Sequence, residues 1–123
     1  MAIALNTTLR SARSTAIVTE AGATAKLTVY TAAYAAVLYT STCAATLGTV
    51  AGGVLTFNAV GNATATGAGT AAIARLFKTD GTTMVIEGLT VGTSGTDIII
   101  TNTTIAVDDV VTTTSGTITE GNA

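Results

Sequence analysis

Short apolar runs separated by turn-forming residues dominate this chain, and the middle, residues 69 to 101, shows the pattern most clearly: GTAAIARLFKTDGTTMVIEGLTVGTSGTDIIIT. Two apolar runs flank Asp80-Gly81, a dipeptide suited to the positive φ angles of a tight hairpin. A third run, Ile98-Ile99-Ile100, follows the turn Gly92-Thr93-Ser94-Gly95, and the three together predict a β-meander. A two-residue loop sets Phe77 opposite Met84 and Leu76 opposite Val85; a three-residue loop sets Leu76 opposite Met84 and Arg75 opposite Val85. In either register both faces of the ribbon carry apolar side chains, with Ala72, Ala74 and Leu76 on one and Ile73 and Phe77 on the other. A sheet with one solvated face would not read this way, so the second face calls for a cover: another sheet, an N-terminal helix or a neighbouring subunit.

The first stretch has a different period. Asn6 is a good N-cap, Leu5, Leu9, Ala12 and Ala16 recur at helical spacing, and Gly22 is a C-terminal stop, which predicts a helix over about residues 7–21. Its charges oppose the helix dipole, with Arg10 and Arg13 near the positive end and Glu20 near the negative end. Four threonines lower its propensity further, so this helix depends on docking. The two arginines are either solvated or meet acids, on a partner or on the Asp108-Asp109 turn.

Residues 25–31, AKLTVYT, alternate with Leu27 and Val29 on one face and Lys26, Thr28 and Tyr30 on the other, the pattern of a half-buried strand. Residues 35–39 suit a strand or a helical turn and are read as a strand. Gly52-Gly53 breaks the chain before Val54–Phe57, in which Leu55 and Phe57 share a face, and the Gly/Ala/Thr stretch from Asn62 to Thr70 reads as a loop or loose edge. Beyond the meander, Asn102-Thr103-Thr104 is a bend, Asp108-Asp109 a turn, and Val110-Val111 opens a last strand through Ile118. Roughly seven to nine short strands follow, at the spacing of a sandwich or barrel. The fold class is mainly β: an antiparallel β-sandwich or jelly-roll-like domain, one unit over residues 1–123, with a short N-terminal helix at about 7–21 and strands from about 25 to 119.

Composition sharpens this picture. At 123 residues the chain can bury a core without disulfide or metal staples. The core residues are small, with two Phe, three Tyr and no Trp, which favours self-association as a supplement to stability. Charged residues are 10% of the chain against about a quarter in ordinary domains, and 29 residues are threonine, so the surface is Thr-rich and suited to extensive polar protein contacts. Five basic and seven acidic residues form no cationic cluster, which argues against nucleic acid as a partner. No stretch approaches a membrane span, and the opening apolar run of four residues is shorter than a secretory leader core.

The candidate chemistry is thin. A single cysteine, Cys43, and no histidine exclude an internal disulfide and a thiolate–imidazole pair, leaving Cys43 as a small buried filler. Gly67-Ala68-Gly69 with Ala72 matches a dinucleotide turn in spacing, with Glu87 near the place of the ribose acid, but neither a preceding buried strand nor a βαβ context accompanies it. Gly92-Thr93-Ser94-Gly95 lacks the second glycine of a nucleophile elbow and reads as a turn. Asp97, Asp108, Asp109 and Asn102 match no calcium loop and read as turn formers. Three Asn-x-Thr sequons, at Asn6, Asn62 and Asn102, are what so Thr-rich a chain produces by chance. No catalytic residue, cofactor or metal ligand is assigned, and the expectation is a protein that is not an enzyme.

Several stretches carry a resemblance. Ala4 to Arg13 (ALNTTLRSAR), Leu27 to Thr31 (LTVYT), Val91 to Asp97 (VGTSGTD) and Ile118 to Asn122 (ITEGN) together resemble a family of small virion structural proteins of tailed bacteriophages and prophages. The likeness spans most of the chain and departs at residues 32–50, where related sequences carry Gly/Pro-containing loops and this one reads TAAYAAVLYTSTCAATLGT over residues 31–49. The resemblance implies a structural role in the virion, with assembly in the bacterial host cytoplasm. The expected function is capsid decoration or cementing of the head shell, with the major capsid protein and further copies of this chain, as a trimer, for partners. A tail or head-fibre module that binds a host surface through loops such as 31–42 is the alternative. The expected interface residues are Arg10, Arg13, Ile73 and Phe77.

Overall fold

A computed structural model describes residues 6–119. A helix, α1 (Thr7–Ala21), precedes the strands β1 (Lys26–Tyr30), β2 (Val37–Thr42), β3 (Gly48–Ala51), β4 (Val54–Phe57), β5 (Ala63–Thr64) and β6 (Gly69–Thr70). They are followed by β7 (Ile73–Phe77), β8 (Met84–Gly92), β9 (Ile98–Ile100), β10 (Thr104–Ile105), β11 (Val110–Val111) and β12 (Thr113–Thr119). The fold is mainly β and sandwich-like, with one N-terminal helix. Eight strands form one curled sheet in the order β2-β1-β7-β8-β9-β12-β4-β3, and two two-stranded ribbons, β10-β6 and β11-β5, complete the described residues.

The sheet curls so that its two halves share one core. Leu27 and Val29 of β1 stand opposite Leu76 and Ala74 of β7 and join Leu55, Ile98 and Ile100 from the far half in a single buried cluster. Alternation explains this: residues two apart point the same way, so Leu27 and Val29 of β1 and Ala74 and Leu76 of β7 share the side that faces the core.

Sheet pairing is mixed rather than wholly antiparallel, and the expected meander ends at β8. β9 runs parallel to β8, with Val91 opposite Ile98 and Gly92 opposite Ile99. Such pairs ordinarily need a long crossover. Here a five-residue link, 93–97, suffices because Asp97 clasps β8. Its carboxylate accepts from the Thr90 amide (3.0 Å) and hydroxyl (3.1 Å), its own N–H donates to Thr90 Oγ1 (3.0 Å), and its carbonyl accepts from Thr117 on β12 (2.8 Å).

The β7–β8 hairpin follows neither of the two expected registers in full. Phe77 faces Met84, as with the shorter loop, but a bulge then brings Leu76 opposite Ile86. The loop is closed by Lys78 N–H donating to the Thr83 carbonyl (2.9 Å), and Asp80 organises it by accepting from the Thr82 and Thr83 amides (2.8 Å each) and the Thr83 hydroxyl (2.6 Å).

Helix α1 has the predicted bounds, with Asn6 Oδ1 accepting from the Leu9 amide at 2.8 Å and Gly22 (φ 69°) ending it. Its buried face is not the expected one. Leu9 is 46% exposed, and Ala12 and Ala16 are exposed, while Ser14 and Ala21 are buried and Ile17 and Val18 pack against the core; Leu5 lies outside the described residues. The helix crosses the end of the sheet where the β3–β4 turn and the β7–β8 loop lie. At the first, Ser11 Oγ accepts from Gly53 N–H (3.0 Å) and Ser14 Oγ donates to the Gly53 carbonyl (3.4 Å); at the second, Glu20 pairs with Lys78 (3.0 Å) and Thr24 bonds Thr79 (3.0 Å). The docking partner is turn backbone, which serine hydroxyls satisfy and leucine cannot, so the contact runs along a polar seam.

Three local readings also change. β1 is buried on both faces, with Thr28 and Tyr30 7% and 8% exposed, because on its outer side Thr28 bonds Thr40 and the Tyr34 ring and Arg75 side chain lie against Tyr30. Gly52 and Gly53, at φ 59° and 79°, form the two-residue turn of a hairpin whose first strand, β3, carries too few apolar residues to be read in advance. The Asn62–Thr70 stretch supplies β5 and β6, which pair with β11 and β10 and bury Ala63, Ala65 and Ala71 near the opposite end of the sheet. The expected last strand from Val110 to Ile118 is accordingly two, with β11 in a ribbon and β12 in the main sheet.

Candidate functional site

Among the described residues, the second face of the β7–β8 ribbon, expected to need a cover, is closed over by neither another sheet nor the helix. It is the convex side of β1, β7 and β8, where Ile73 and Phe77 are half-buried and Met84 is 48% exposed. A 3-10 turn, Ala32–Tyr34, folds back onto its upper part. The turn holds two successive non-glycine residues at positive φ, Ala33 (56°) and Tyr34 (57°), a conformation costing roughly 1–2 kcal/mol each. Four contacts hold it. Tyr34 N–H donates to the Thr31 carbonyl (3.1 Å), the Tyr34 hydroxyl accepts from Gly88 N–H (2.8 Å), its ring meets Tyr30 edge-on at 5.2 Å, and the Arg75 guanidinium lies 3.8 Å from the ring centroid.

Arg75 is thus fixed between two aromatic rings, with Tyr30 at 5.3 Å, and its Nε donates to Glu87 Oε2 at 3.2 Å. Glu87 precedes Gly88 (φ 81°), at an irregular stretch of β8 where the β7 pairing jumps from Leu89 opposite Ala74 to Ile86 opposite Leu76. That irregularity frees the Gly88 amide from the ladder and turns it to Tyr34. The result is a rigid patch of Tyr30, Tyr34, Arg75 and Glu87 beside Ile73, Phe77 and Met84, framed by Thr28, Thr40 and Thr90. Arg, Tyr, Phe and Met are the side chains that protein contact surfaces favour at their centres.

The four expected interface residues fall into two groups. Ile73 and Phe77 lie on this convex face. Arg10 and Arg13 lie on α1: Arg10 is half-buried along Gly53, with its guanidinium donating to Thr7 Oγ1 at 3.2 Å, and Arg13 is exposed on its neighbouring turn. Tyr34 and Arg75 were not singled out as site residues from the sequence, and Glu87 was weighed only as the acid of a dinucleotide-like spacing. Arg75 and Tyr30 share a face by simple alternation, which was legible; Tyr34 arrives through positive-φ residues that no apolar pattern announces.

The remaining candidates are occupied by structural roles. Gly67 packs on the Val37 carbonyl and donates to the Leu38 carbonyl (3.2 Å), and Glu87 is bonded to Arg75, so the dinucleotide-like spacing has no phosphate turn behind it. Asn102 caps the Thr104 amide (2.9 Å) and Asp109 the Ala106 amide (2.9 Å), beside a cleft of about 150 Å³ lined by residues including Thr101, Thr104 and Val111. Among the described residues no three His, Cys, Asp or Glu side chains gather around one point, and no helix is long and apolar enough to cross a membrane. Burial pushes the Cys43 thiol up to about 11, slightly offset by Lys26, and Tyr39 up to about 12, slightly offset by Thr113. Both hold their protons at neutral pH.

The chain therefore defines a helix-capped, sandwich-like β module with a preorganised convex face. Searches against protein-family models, characterised proteins and solved structures find no match to it.

Proposed function

We propose that this protein is a non-enzymatic structural component of a tailed-phage particle, a decoration or cement protein that binds the major capsid protein and stabilises the head shell. The observation that carries the reading is the convex β1-β7-β8 face, where half-buried Ile73 and Phe77 and exposed Met84 flank a stacked Arg75 on a rigid sheet. A face of this kind docks on protein with little ordering cost, and a repeated lattice multiplies a modest contact over many copies. The sequence resemblance supports the same role. Association of copies, as a trimer, adds the apolar burial that a core of small side chains supplies sparingly.

The test is stoichiometry in purified particles. A ratio to the major capsid protein near one, or near one third, is expected for a shell cement. A few copies per particle transfer the protein to a tail or head fibre that binds a host surface, and absence from particles overturns the virion reading.

A further inference from the structure

We infer that Arg75 is the point at which this face receives an acidic side chain of the partner protein. The inference rests on the docking role proposed above and names the chemistry of its central contact.

Glu87 engages Nε of the guanidinium and Tyr30 also hydrogen-bonds the side chain, which leaves the two terminal nitrogens with N–H donors to spare. They form the planar fork that matches a carboxylate in two parallel bonds. The Tyr34 ring, 3.8 Å away, fixes the fork, so its side-chain entropy is spent before the partner arrives. The Arg75 side chain is 31% accessible, enough for contact from outside, and the flanking Ile73, Phe77 and Met84 would exclude water from the pair once covered.

The charge balance of the patch selects the occupant. Lys26 and Arg75 point outward from adjacent strands, with the Lys26 ammonium resting on Thr42 Oγ1 (2.9 Å). Against them stands Glu87, whose side chain is 52% exposed, while the nearby Asp97 carboxylate is committed to Thr90. An exposed pair of this kind is worth little in water, so Glu87 is easily displaced or joined by a second carboxylate when the face is covered. A cationic partner would place like charge beside the guanidinium, and a purely apolar one would desolvate the Arg75–Glu87 pair without offering its remaining donors an acceptor.

The test is rebinding of the purified full-length protein to particles prepared without it, read by co-sedimentation at several protein and salt concentrations. Wild type binds and weakens with added salt. Arg75→Lys keeps the charge but loses the fork, and Arg75→Gln loses both; each is expected to bind about tenfold to a hundredfold more weakly, the range for a charge-assisted hydrogen-bond pair. Glu87→Gln removes the internal competitor on an exposed site and is expected to bind several-fold more tightly. If wild type rebinds while the Arg75 variants bind equally well, or Glu87→Gln binds more weakly, the inference is overturned and the proposed function stands. If wild type does not rebind at all, the proposed function falls and the inference with it.

Discussion

Cys43 and Tyr39 illustrate how single side chains set the pH behaviour of this fold. Both are buried, and burial disfavours their anions, raising Cys43 from 9.0 to about 11 and Tyr39 from 10.0 to about 12. The folded state therefore retains protons that the unfolded chain releases. Stability is complete below about pH 9 and declines as pH rises towards 11 and 12. Urea midpoints measured from neutral pH upward are expected to fall on this alkaline side, and less steeply in Cys43→Ala. The same burial keeps the native thiol unreactive towards iodoacetamide until the chain is unfolded. Asp80 has the opposite sign: hydrogen bonds, first from the Thr83 hydroxyl and then from the Thr83 and Thr82 amides, hold it down at about 2. Its contribution to the hairpin is present above about pH 4 and lost as pH falls through 2, and Asp80→Ala removes that acid dependence. The burial of Cys43 followed from its Ala/Thr surroundings, and the turn at Asp80 from its neighbour Gly81. The burial of the Tyr39 hydroxyl did not, because it depends on how the sheet curls.

Among the elements, the helix separates local from distant causes most sharply. Its limits follow from Asn6 and Gly22, which satisfy its end groups within a few residues of chain. Asn6→Ala is expected to cost about 1 kcal/mol in urea denaturation through loss of the cap. Its docking face was misread because the partner is the backbone of a turn about 40 residues away in the chain, which favours Ser11 and Ser14 over an apolar stripe. Leu9→Lys is accordingly expected to change stability by no more than about 0.5 kcal/mol, as for an exposed position. A loss of several kcal/mol would return Leu9 to the core. The β3–β4 turn gives a second test. Alanine at Gly52 meets only the strain of positive φ, whereas at Gly53 its Cβ would also lie 2.9 Å from the Arg10 Cβ, so Gly53→Ala is expected to be the more destabilising.

At the level of the whole molecule, the proposed docking role makes the convex face a surface to be covered in assembly, with Ile73 and Phe77 half-buried rather than part of the core. Replacing Ile73 and Phe77 together by aspartate is expected to leave far-UV circular dichroism intact while abolishing attachment to particles; retained attachment would move the contact elsewhere. The alternation of apolar positions, the turn residues and the helix caps were enough to make the chain a mainly β fold with one N-terminal helix, because backbone preference and side-chain period act within a few residues. The parallel step from β8 to β9, the burial of both faces of β1, the pairing of β5 and β6 with later strands and the serine seam of the helix were not contained in any such window. Each rests on a distant partner, Asp97 with Thr117, Tyr34 with Gly88, Ala65 with Asp109 or Ser14 with Gly53, and only the closed fold brings those groups within hydrogen-bonding reach.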